Sequence, residues 1–301
     1  MTKRLISANA SDMLAMTGAE LKQSIKASEG RVICSEDVAV HESYIGDITN
    51  AEIARAFGAD LILLNAVDVL HPELPGLSQD PADGTVVDQL HRLVGRPIGV
   101  NLEPVDEDAA MAEDRISIAR GRQANAETAA EIERLGFDFV CLTGNPGTGV
   151  TNAQIARAIG IMKEHFSGLI IAGKMHGAGV DEPVCDEESV EAFVSAGADV
   201  ILVPAVGTVP GFTDAELTQI VREVHRRGAL ALSAIGTSQE GSDPATIREI
   251  AIRNKVCGVD IQHIGDAGYS GVAPVENIYA MSVAIRGIRH TVSMMARSIN
   301  R

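Results

Sequence analysis

Eight short β-rich runs, each followed by a turn and a segment of helical periodicity, recur along nearly the whole chain. Their starts lie about 28 to 40 residues apart, which is the length of one strand-and-helix unit. Such alternation indicates a parallel sheet covered by helices, either closed into a barrel or open and doubly wound. The runs are Arg31–Glu36, Asp60–Val67, Pro97–Glu103, Phe137–Thr143, Gly168–Lys174, Asp199–Pro204, Ala229–Ala234 and Cys257–His263.

The segments around these runs favour the closed form. An open dinucleotide-binding sheet carries Gly-x-Gly-x-x-Gly after its first strand, and no such motif follows Arg31–Glu36. Glycine ends several predicted helices just before a strand, as at Gly136, and Thr49 with Glu52 three residues later marks a helix start. We therefore predict an α/β fold made of a single (β/α)8 barrel, the TIM-barrel architecture.

Length and composition fit one barrel domain. The 301 residues are 46% hydrophobic and 22% charged, which provides ample apolar surface for one core. We assign residues 1–30 to an N-terminal helical extension and residues 31–301 to the barrel with its C-terminal helix. A helix over Ser11–Ser28 is expected to cover the bottom of the barrel, and a long helix over Pro274–Arg297 to end it.

Charge and composition exclude several partners. A net charge of −16 without a basic block, no tryptophan and only three tyrosines argue against nucleic-acid binding. No run of about 18 to 20 apolar residues predicts a membrane span. The four cysteines show no C-x-x-C spacing, which indicates a reducing compartment. We expect a cytoplasmic protein that forms a homo-oligomer, as barrels commonly do, although no apolar stripe specifies a symmetry.

Active sites of this fold lie at the carboxyl ends of the strands, so polar residues that point inward there are the candidates. Side chains alternate between the two faces of a strand. In the third run, Ile98, Val100 and Leu102 form an apolar set that should face the helices. Asn101 and Glu103 are therefore predicted to point into the barrel, with Glu103 as a catalytic group and Asn101 as a substrate ligand.

The fifth run contributes the two strongest catalytic candidates, Lys174 and His176, which stand among glycines at a strand end. If Ile171 and Met175 face the helices, both polar side chains point inward. A buried lysine can have a lowered pKa and form a Schiff base, or it can stay charged and hold an anionic substrate. The histidine titrates near neutrality and can move a proton.

The same alternation places further polar groups in the barrel or at its rim. An unsatisfied buried polar group costs about 1–3 kcal/mol, so a pocket that binds a ligand explains them better than an empty one. A hydrogen-bonded polar layer without a ligand is the alternative. The alternation gives Glu36 as a catalytic group, and as substrate ligands Asn65, Asn101, Thr143 or Asn145, Ser233, and Gln262 or Asp260. His263, at the end of the eighth run, is a further candidate substrate ligand.

A divalent metal such as Mg²⁺ is an open alternative for some of these groups. Glu36, Glu103, Asp68 and His176 come from different strand ends and offer oxygen and nitrogen ligands. Solvated carboxylates at the rim of an acidic chain would give the same sequence pattern. The sequence assigns no other cofactor.

Two glycine-rich loops follow the seventh and eighth runs, where this fold usually binds phosphate. They contain Gly236, Thr237, Gly265 and Asp266. Backbone N–H groups in such turns can hold a phosphate without arginine, so we predict an anion site there. Glu240 and Asp266 place negative charge in the same loops, and ordinary turns are the alternative interpretation.

The chain resembles a family of uncharacterised bacterial TIM-barrel proteins labelled phosphoenolpyruvate phosphonomutase-like or haloacid dehalogenase-like hydrolase. The resemblance spans nearly the full length and rests on residues 7–12, 40–47, 142–149 and 261–269. A more distant likeness, through Thr143-Gly144, is to BtpA-like barrels. Both likenesses imply a barrel fold, and the likeness to BtpA-like barrels implies no established reaction.

The chain departs from both labels in its motifs. A haloacid dehalogenase has Asp-x-Asp followed by Thr or Val, and Asp106-Glu107-Asp108 lacks that ending. The phosphonomutase group has an Asp-x-Gly-Tyr-Gly-like loop after an early strand, whereas the similar segment Asp266–Gly271 follows the eighth run.

Together these patterns predict a barrel enzyme that binds a small anionic metabolite, phosphorylated or carboxylated, and performs lyase, aldolase or isomerase chemistry. The alternative is a non-catalytic barrel that binds a metabolite or a protein partner through the same pocket.

Overall fold

The computed structural model describes residues 3–301, in which eight parallel strands close into a barrel. Each strand pairs with the next along the chain, and the first pairs with the last, with Cys34 opposite both Leu61 and His263. The predicted (β/α)8 barrel is confirmed. The strands are β1 Val32–Val38, β2 Leu61–Asn65, β3 Ile98–Leu102, β4 Phe139–Leu142, β5 Leu169–Gly173, β6 Val200–Pro204, β7 Leu230–Ile235 and β8 Ile261–Ile264.

Helices alternate with the strands and surround them. Several begin with a capping box, as where Thr49 accepts from the Glu52 N–H while the Glu52 carboxylate accepts from Thr49. Among the described residues, no helix combines the length and the hydrophobicity that crossing a bilayer requires. The helices are α1 Ala10–Met13, α2 Gly18–Lys26, α3 Asn50–Ala56, α4 Val86–Val94, α5 Ala126–Leu135, α6 Asn152–His165, α7 Glu187–Ala196, α8 Asp214–Arg226, α9 Pro244–Val256 and α10 Val275–Ala296.

The strands separate two apolar layers. The outer layer packs the strands against the helices, and the inner layer fills the barrel. Gly99 stands at an inward position of β3, where a Cβ would lie 2.2 Å from the ring of Phe139. The ring therefore occupies the space that a side chain at Gly99 would need. The inner layer includes Val32, Cys34, Leu61, Leu63, Phe139, Cys141, Leu169, Ile171, Val200, Leu202, Leu230, Leu232 and Ile261.

The N-terminal extension closes the bottom of the barrel. Leu5, Ile6, Leu21 and Ile25 are buried in the inner layer with the strand residues. The predicted helix over Ser11–Ser28 is broken into α1 and α2, because Thr17 caps a second helix start. At the other end of the chain, α10 follows the predicted bounds and is interrupted at Gly287, whose φ is 69°.

Four aspartates at the starts of the even-numbered strands fasten the strands in pairs. The Asp60 N–H donates to the Ile33 carbonyl at 2.9 Å, and the Asp60 carboxylate accepts from the Ile33 N–H at 2.9 Å. The same two-way contact joins the other three aspartates to the preceding strands. The pairs are Asp138 with Ile98, Asp199 with Ile170, and Asp260 with Ala231.

Each of these carboxylates also contacts a cationic or titratable side chain. His91, Lys22 and His225 reach Asp138, Asp199 and Asp260 from half-exposed positions. At Asp60 the partner is Arg286, and both side chains are fully buried with 2.5 Å between Nη1 and Oδ2. Arg286 also donates to the Gly58 carbonyl and the Ser282 hydroxyl, so α10 is tied to the bottom of β1 and β2.

We expect Arg286→Met to lower the free energy of unfolding by about 3–5 kcal/mol, because it leaves the Asp60 carboxylate buried without its cation. Urea denaturation followed by circular dichroism measures the change. Arg120→Met is the control, since the Arg120–Glu127 pair is exposed and such pairs contribute about 0–1 kcal/mol. Equal losses in the two variants would contradict a fastening role for Arg286.

Candidate active site

A cavity of about 440 Å³ opens at the carboxyl ends of the strands. Ten of the predicted site residues line it, drawn from β1 to β5, β7, β8 and the loops that follow them. They are Glu36, Asn65, Asn101, Thr143, Asn145, His176, Gly236, Thr237, Gly265 and Asp266. The structure thus brings together groups that lie up to 230 residues apart in sequence.

Lys174 does not line this cavity, and the inward direction predicted for it is wrong. Ile171 and Met175 belong to the inner layer, so the intervening Lys174 points to the outside of the barrel. The predicted alternation was shifted by one residue, because an apolar β5 buried on both faces gives no contrast between them. His176 still reaches the cavity, since it lies beyond the end of the strand.

Lys174 instead ties two loops together outside the barrel. Its ammonium lies 2.5 Å from the Glu182 carboxylate, which also accepts from the Asn152 N–H at the start of α6. Burial lowers the pKa of Lys174, and the Glu182 carboxylate opposes that shift. A Schiff base with a substrate in the cavity is therefore out of reach for this side chain.

Ser233 and Gln262 also point outward, contrary to prediction. Leu232 and Ala234 belong to the inner layer, and the Ser233 hydroxyl lies 3.5 Å from the Gln262 amide oxygen. Asp260, the alternative to Gln262, lies at the bottom of β8. The alternation failed here because β7 and β8 are buried on both faces, like β5.

Three asparagines and a glutamate form a hydrogen-bonded layer on one side of the cavity. Asn65 and Asn145 exchange amide hydrogen bonds at 3.0 and 3.1 Å, and Asn101 donates to Asn65 at 3.1 Å. Glu103 accepts from the Asn145 amide and from Arg122. Glu103 is buried and does not line the cavity; its carboxylate pairs with Arg122 and holds the Asn145 side chain in place.

An acidic cluster forms the opposite side. Glu36 lies with its carboxylate 3.0 Å from Nε2 of His263, without the alignment of a hydrogen bond. Asp266 and Glu240 line the cavity beside Glu36. Burial raises the pKa of Glu240. His263, predicted as a substrate ligand, points into the barrel, where it contacts Glu36 and does not line the cavity.

Asp266 has the properties of a general acid or base. Burial, followed by the negative charge of Glu36, raises its pKa to about 7. Asn65 donates to one carboxylate oxygen at 2.9 Å, which opposes the shift and fixes the orientation of the group. A group that titrates near neutral pH holds or releases a proton with little cost, which is what proton transfer requires.

His176 is a hydrogen-bond donor to the cavity. Its Nδ1 accepts from the Ala178 N–H at 3.0 Å, so the neutral ring carries its proton on Nε2. Burial lowers the pKa of His176, which keeps the ring neutral at physiological pH. A neutral imidazole with a free Nε2–H can donate to a carbonyl oxygen of a substrate and polarise it.

The predicted phosphate position between the loops after β7 and β8 is filled by Glu240. Its Oε1 accepts from the Ala267 N–H at 3.1 Å and lies 2.5 Å from where a Cβ of Gly265 would stand. Thr237 and Ser238 have φ of 57° and 66°. The loops form a cradle, and the chain's own carboxylate occupies it.

The four groups predicted as a possible metal set do not meet. Asp68 accepts from the Leu70 N–H and lies against Gly121, and Glu103 is paired with Arg122. Among residues 3–301, no three His, Cys, Asp or Glu side chains are arranged to share a metal ion.

The loop between β3 and α5 was missed by sequence reasoning. Its backbone pairs with the next two loops, through Val105 with Val150 and Met111 with Val180, and it brings Glu113 to the cavity. The signal was its length, because about twenty residues without helical or strand periodicity between two elements of a barrel indicate a functional loop.

We predict that the Asp266 carboxyl carbon titrates near pH 7 in a ¹³C NMR experiment, with Asp266→Asn giving the assignment. Glu36→Gln removes a neighbouring negative charge and should lower that pKa. Asp243 is the internal control, because hydrogen bonds from the Thr246 and Ala245 backbone lower its pKa. Titration of Asp266 below pH 5 would contradict the described environment.

The same shift predicts how stability depends on pH. A raised pKa means that the folded chain binds more protons than the unfolded chain between about pH 3.9 and 7. The free energy of unfolding should therefore fall as pH rises through this window, on the order of 4 kcal/mol. Asp266→Asn should remove that part of the decline, because the amide does not ionise.

Comparison with solved structures supports the barrel. The 2,3-dimethylmalate lyase, a PEP mutase/isocitrate lyase superfamily member, has a TM-score of 0.51 at 13% identity, covering 84% of this chain and 81% of that chain. A putative fructose-1,6-biphosphate aldolase from Coccidioides immitis has a TM-score of 0.51 at 16% identity, covering 92% and 96%. The BexX/CysO complex of Amycolatopsis orientalis has 0.51 at 12%, covering 89% and 93%.

At such identities these likenesses show the fold and not the reaction. They agree with the barrel implied by the resemblance to phosphonomutase-like proteins, and neither reaction label follows from them. No curated protein sequence matches the chain. The family model described as Domain of unknown function (DUF7916) matches residues 6–301, and the chain therefore belongs to that family.

Proposed function

We propose that the protein is an acid–base barrel enzyme that transfers a proton at a carbon next to a carbonyl group. Lyases, aldolases and isomerases share this step. The observation that carries the proposal is Asp266, a carboxyl with a pKa of about 7 that is oriented by Asn65 and faces the cavity. General acid–base catalysis by such a group accelerates reactions by about 10²–10⁴-fold.

The other lining groups have compatible roles. His176 would donate its Nε2–H to the carbonyl oxygen and stabilise the charge that develops there when the proton leaves. Asn65, held by bonds from Asn101, Asn145 and the Ala66 N–H, would keep Asp266 in one position. The lyase and the aldolase among the similar structures share the barrel fold. The roles proposed for Asp266, His176 and Asn65 are inferred from the residues of this cavity and not from those proteins.

The charge of the cavity favours a substrate whose reacting end, here called its head, is uncharged. Four carboxyl groups line it and no lysine or arginine does, while Glu240 fills the predicted anion cradle. We therefore propose a small hydroxylated ketone or aldehyde. The anionic metabolite expected from the sequence is the alternative, and it would need a cation such as Mg²⁺ to offset repulsion by Glu36 and Asp266.

A thermal-shift comparison of dihydroxyacetone with its phosphate, each with and without Mg²⁺, separates these alternatives. We expect dihydroxyacetone to stabilise the parent without Mg²⁺, and we expect Asp266→Asn and His176→Ala to lose most of that shift. Glu164→Gln, an exposed change on α6, is the control and should behave like the parent.

If dihydroxyacetone phosphate stabilises the protein only in the presence of Mg²⁺, and dihydroxyacetone does not stabilise it at all, the anionic substrate is supported instead. Shifts that persist unchanged in Asp266→Asn and His176→Ala would place the ligand elsewhere and contradict the proposed site. Binding that depends on both residues but never leads to exchange or turnover would favour the non-catalytic barrel.

A further inference from the structure

A second cavity of about 630 Å³ adjoins the first, between the loops that follow β5 and β6. His176, Gly177 and Thr237 line both cavities, so the two spaces share a wall. The remaining lining is mostly apolar. It consists of Pro183, Val184, Cys185, Pro204, Thr208, Val209, Pro210, Gly211 and Phe212.

This groove, as we call the second cavity, has no charged side chain in its lining apart from the titratable His176 and Cys185. Burial raises the pKa of the Cys185 thiol to about 12, so the group stays neutral. The Thr208 hydroxyl donates to the Ala205 carbonyl, and the Thr237 hydroxyl donates to the Thr208 carbonyl. The groove therefore offers a ligand apolar contact and few free polar groups.

The chain's own packing holds the groove in shape. Phe212 and Cys185 pack against the outer core, and three prolines fix the backbone on both sides. A preformed apolar surface loses little conformational entropy when a ligand covers it. Val184 and Val209 remain partly exposed beside Phe212, which is the state expected of an apolar subsite.

We propose that the groove binds an apolar tail, aromatic or branched aliphatic, of the same substrate whose hydroxylated carbonyl head occupies the polar cavity. The shared wall at His176 and Thr237 places the two parts side by side. The substrate is then an amphiphilic carbonyl compound, with its polar end at Asp266 and its apolar end at Val184, Val209 and Phe212. The identity of the head rests on the proposed function, whereas apolar binding in the groove does not.

Methyl NMR with three probes tests the inference. The probes are p-cresol as a tail, glycerol as a head, and their ether 3-(4-methylphenoxy)-1,2-propanediol as both. We expect p-cresol to shift the Val184 and Val209 methyl signals saturably. We expect the joined probe to shift those methyls and the Asp266 carboxyl signal together, with a Kd at least about tenfold below that of either part.

Val209→Asp should abolish the advantage of the joined probe and leave weak glycerol binding unchanged. Val256→Asp is the matched control, because Val256 is 81% exposed on α9 and should change nothing. Unshifted valine methyls with p-cresol would overturn the proposal. A joined probe that binds no tighter than p-cresol would also overturn it, by showing that the groove and the polar cavity are independent.

Two further readouts distinguish a substrate subsite from a dimer contact, and failure of the groove from failure of the acid–base function. Valine shifts that depend on protein concentration without a probe would show that a second copy covers the groove, which contradicts a substrate subsite. If the Val184 and Val209 methyl signals respond to p-cresol while Asp266 does not titrate near neutral pH, apolar binding in the groove is supported and the proposed acid–base function is contradicted.

Discussion

The barrel depends on four aspartates that each hold two strands in a fixed register. Asp60, Asp138, Asp199 and Asp260 donate through the backbone and accept through the carboxylate from the same residue of the preceding strand. A one-residue slip would leave a buried carboxylate unpaired and turn every side chain of the strand to the other face. The register therefore determines which residues meet at the carboxyl ends.

That register concentrates acids at the cavity. Glu36, Asp266 and Glu240 approach one another there, and the neighbouring Asp37 is fully buried with no hydrogen bond to either carboxylate oxygen. Burial and the charge of Asp266 raise the pKa of Asp37. Because like charges disfavour each other's ionisation, the cluster raises the pKa of Asp266, the member that both faces the cavity and is oriented by an amide.

Sequence patterns predicted the fold well because spacing and helix ends are local signals. The eight strands, the helix starts such as Thr49, and the alternation of β3 follow from contrasts that the chain displays. Gly136 was recognised as a helix end before its strand, whereas the role of Asp138 two residues later was not. Its partner lies on a different strand and leaves no local trace.

The site was predicted only in part, because local sequence signals identify some of its residues and contacts between distant segments determine the others. Asn65 ends β2, Asn145 and Asp266 lie in the loops after β4 and β8, and all three line the cavity as expected. Lys174 was misplaced because β5 is apolar on both faces, so its alternation cannot be read from polarity. The filling of the phosphate cradle by Glu240 depends on two loops meeting in space, which no pattern in either loop reveals.

Proton transfer by Asp266 can be followed directly as hydrogen exchange at the carbon next to the carbonyl of dihydroxyacetone, hydroxyacetone and erythrulose in D₂O, by ¹H NMR. We predict that the parent accelerates exchange of at least one of these ketones by about tenfold or more over buffer, and that Asp266→Asn returns it to the buffer rate. A parent rate equal to that of buffer for all three, or an Asp266→Asn variant as fast as the parent, would contradict proton transfer by Asp266.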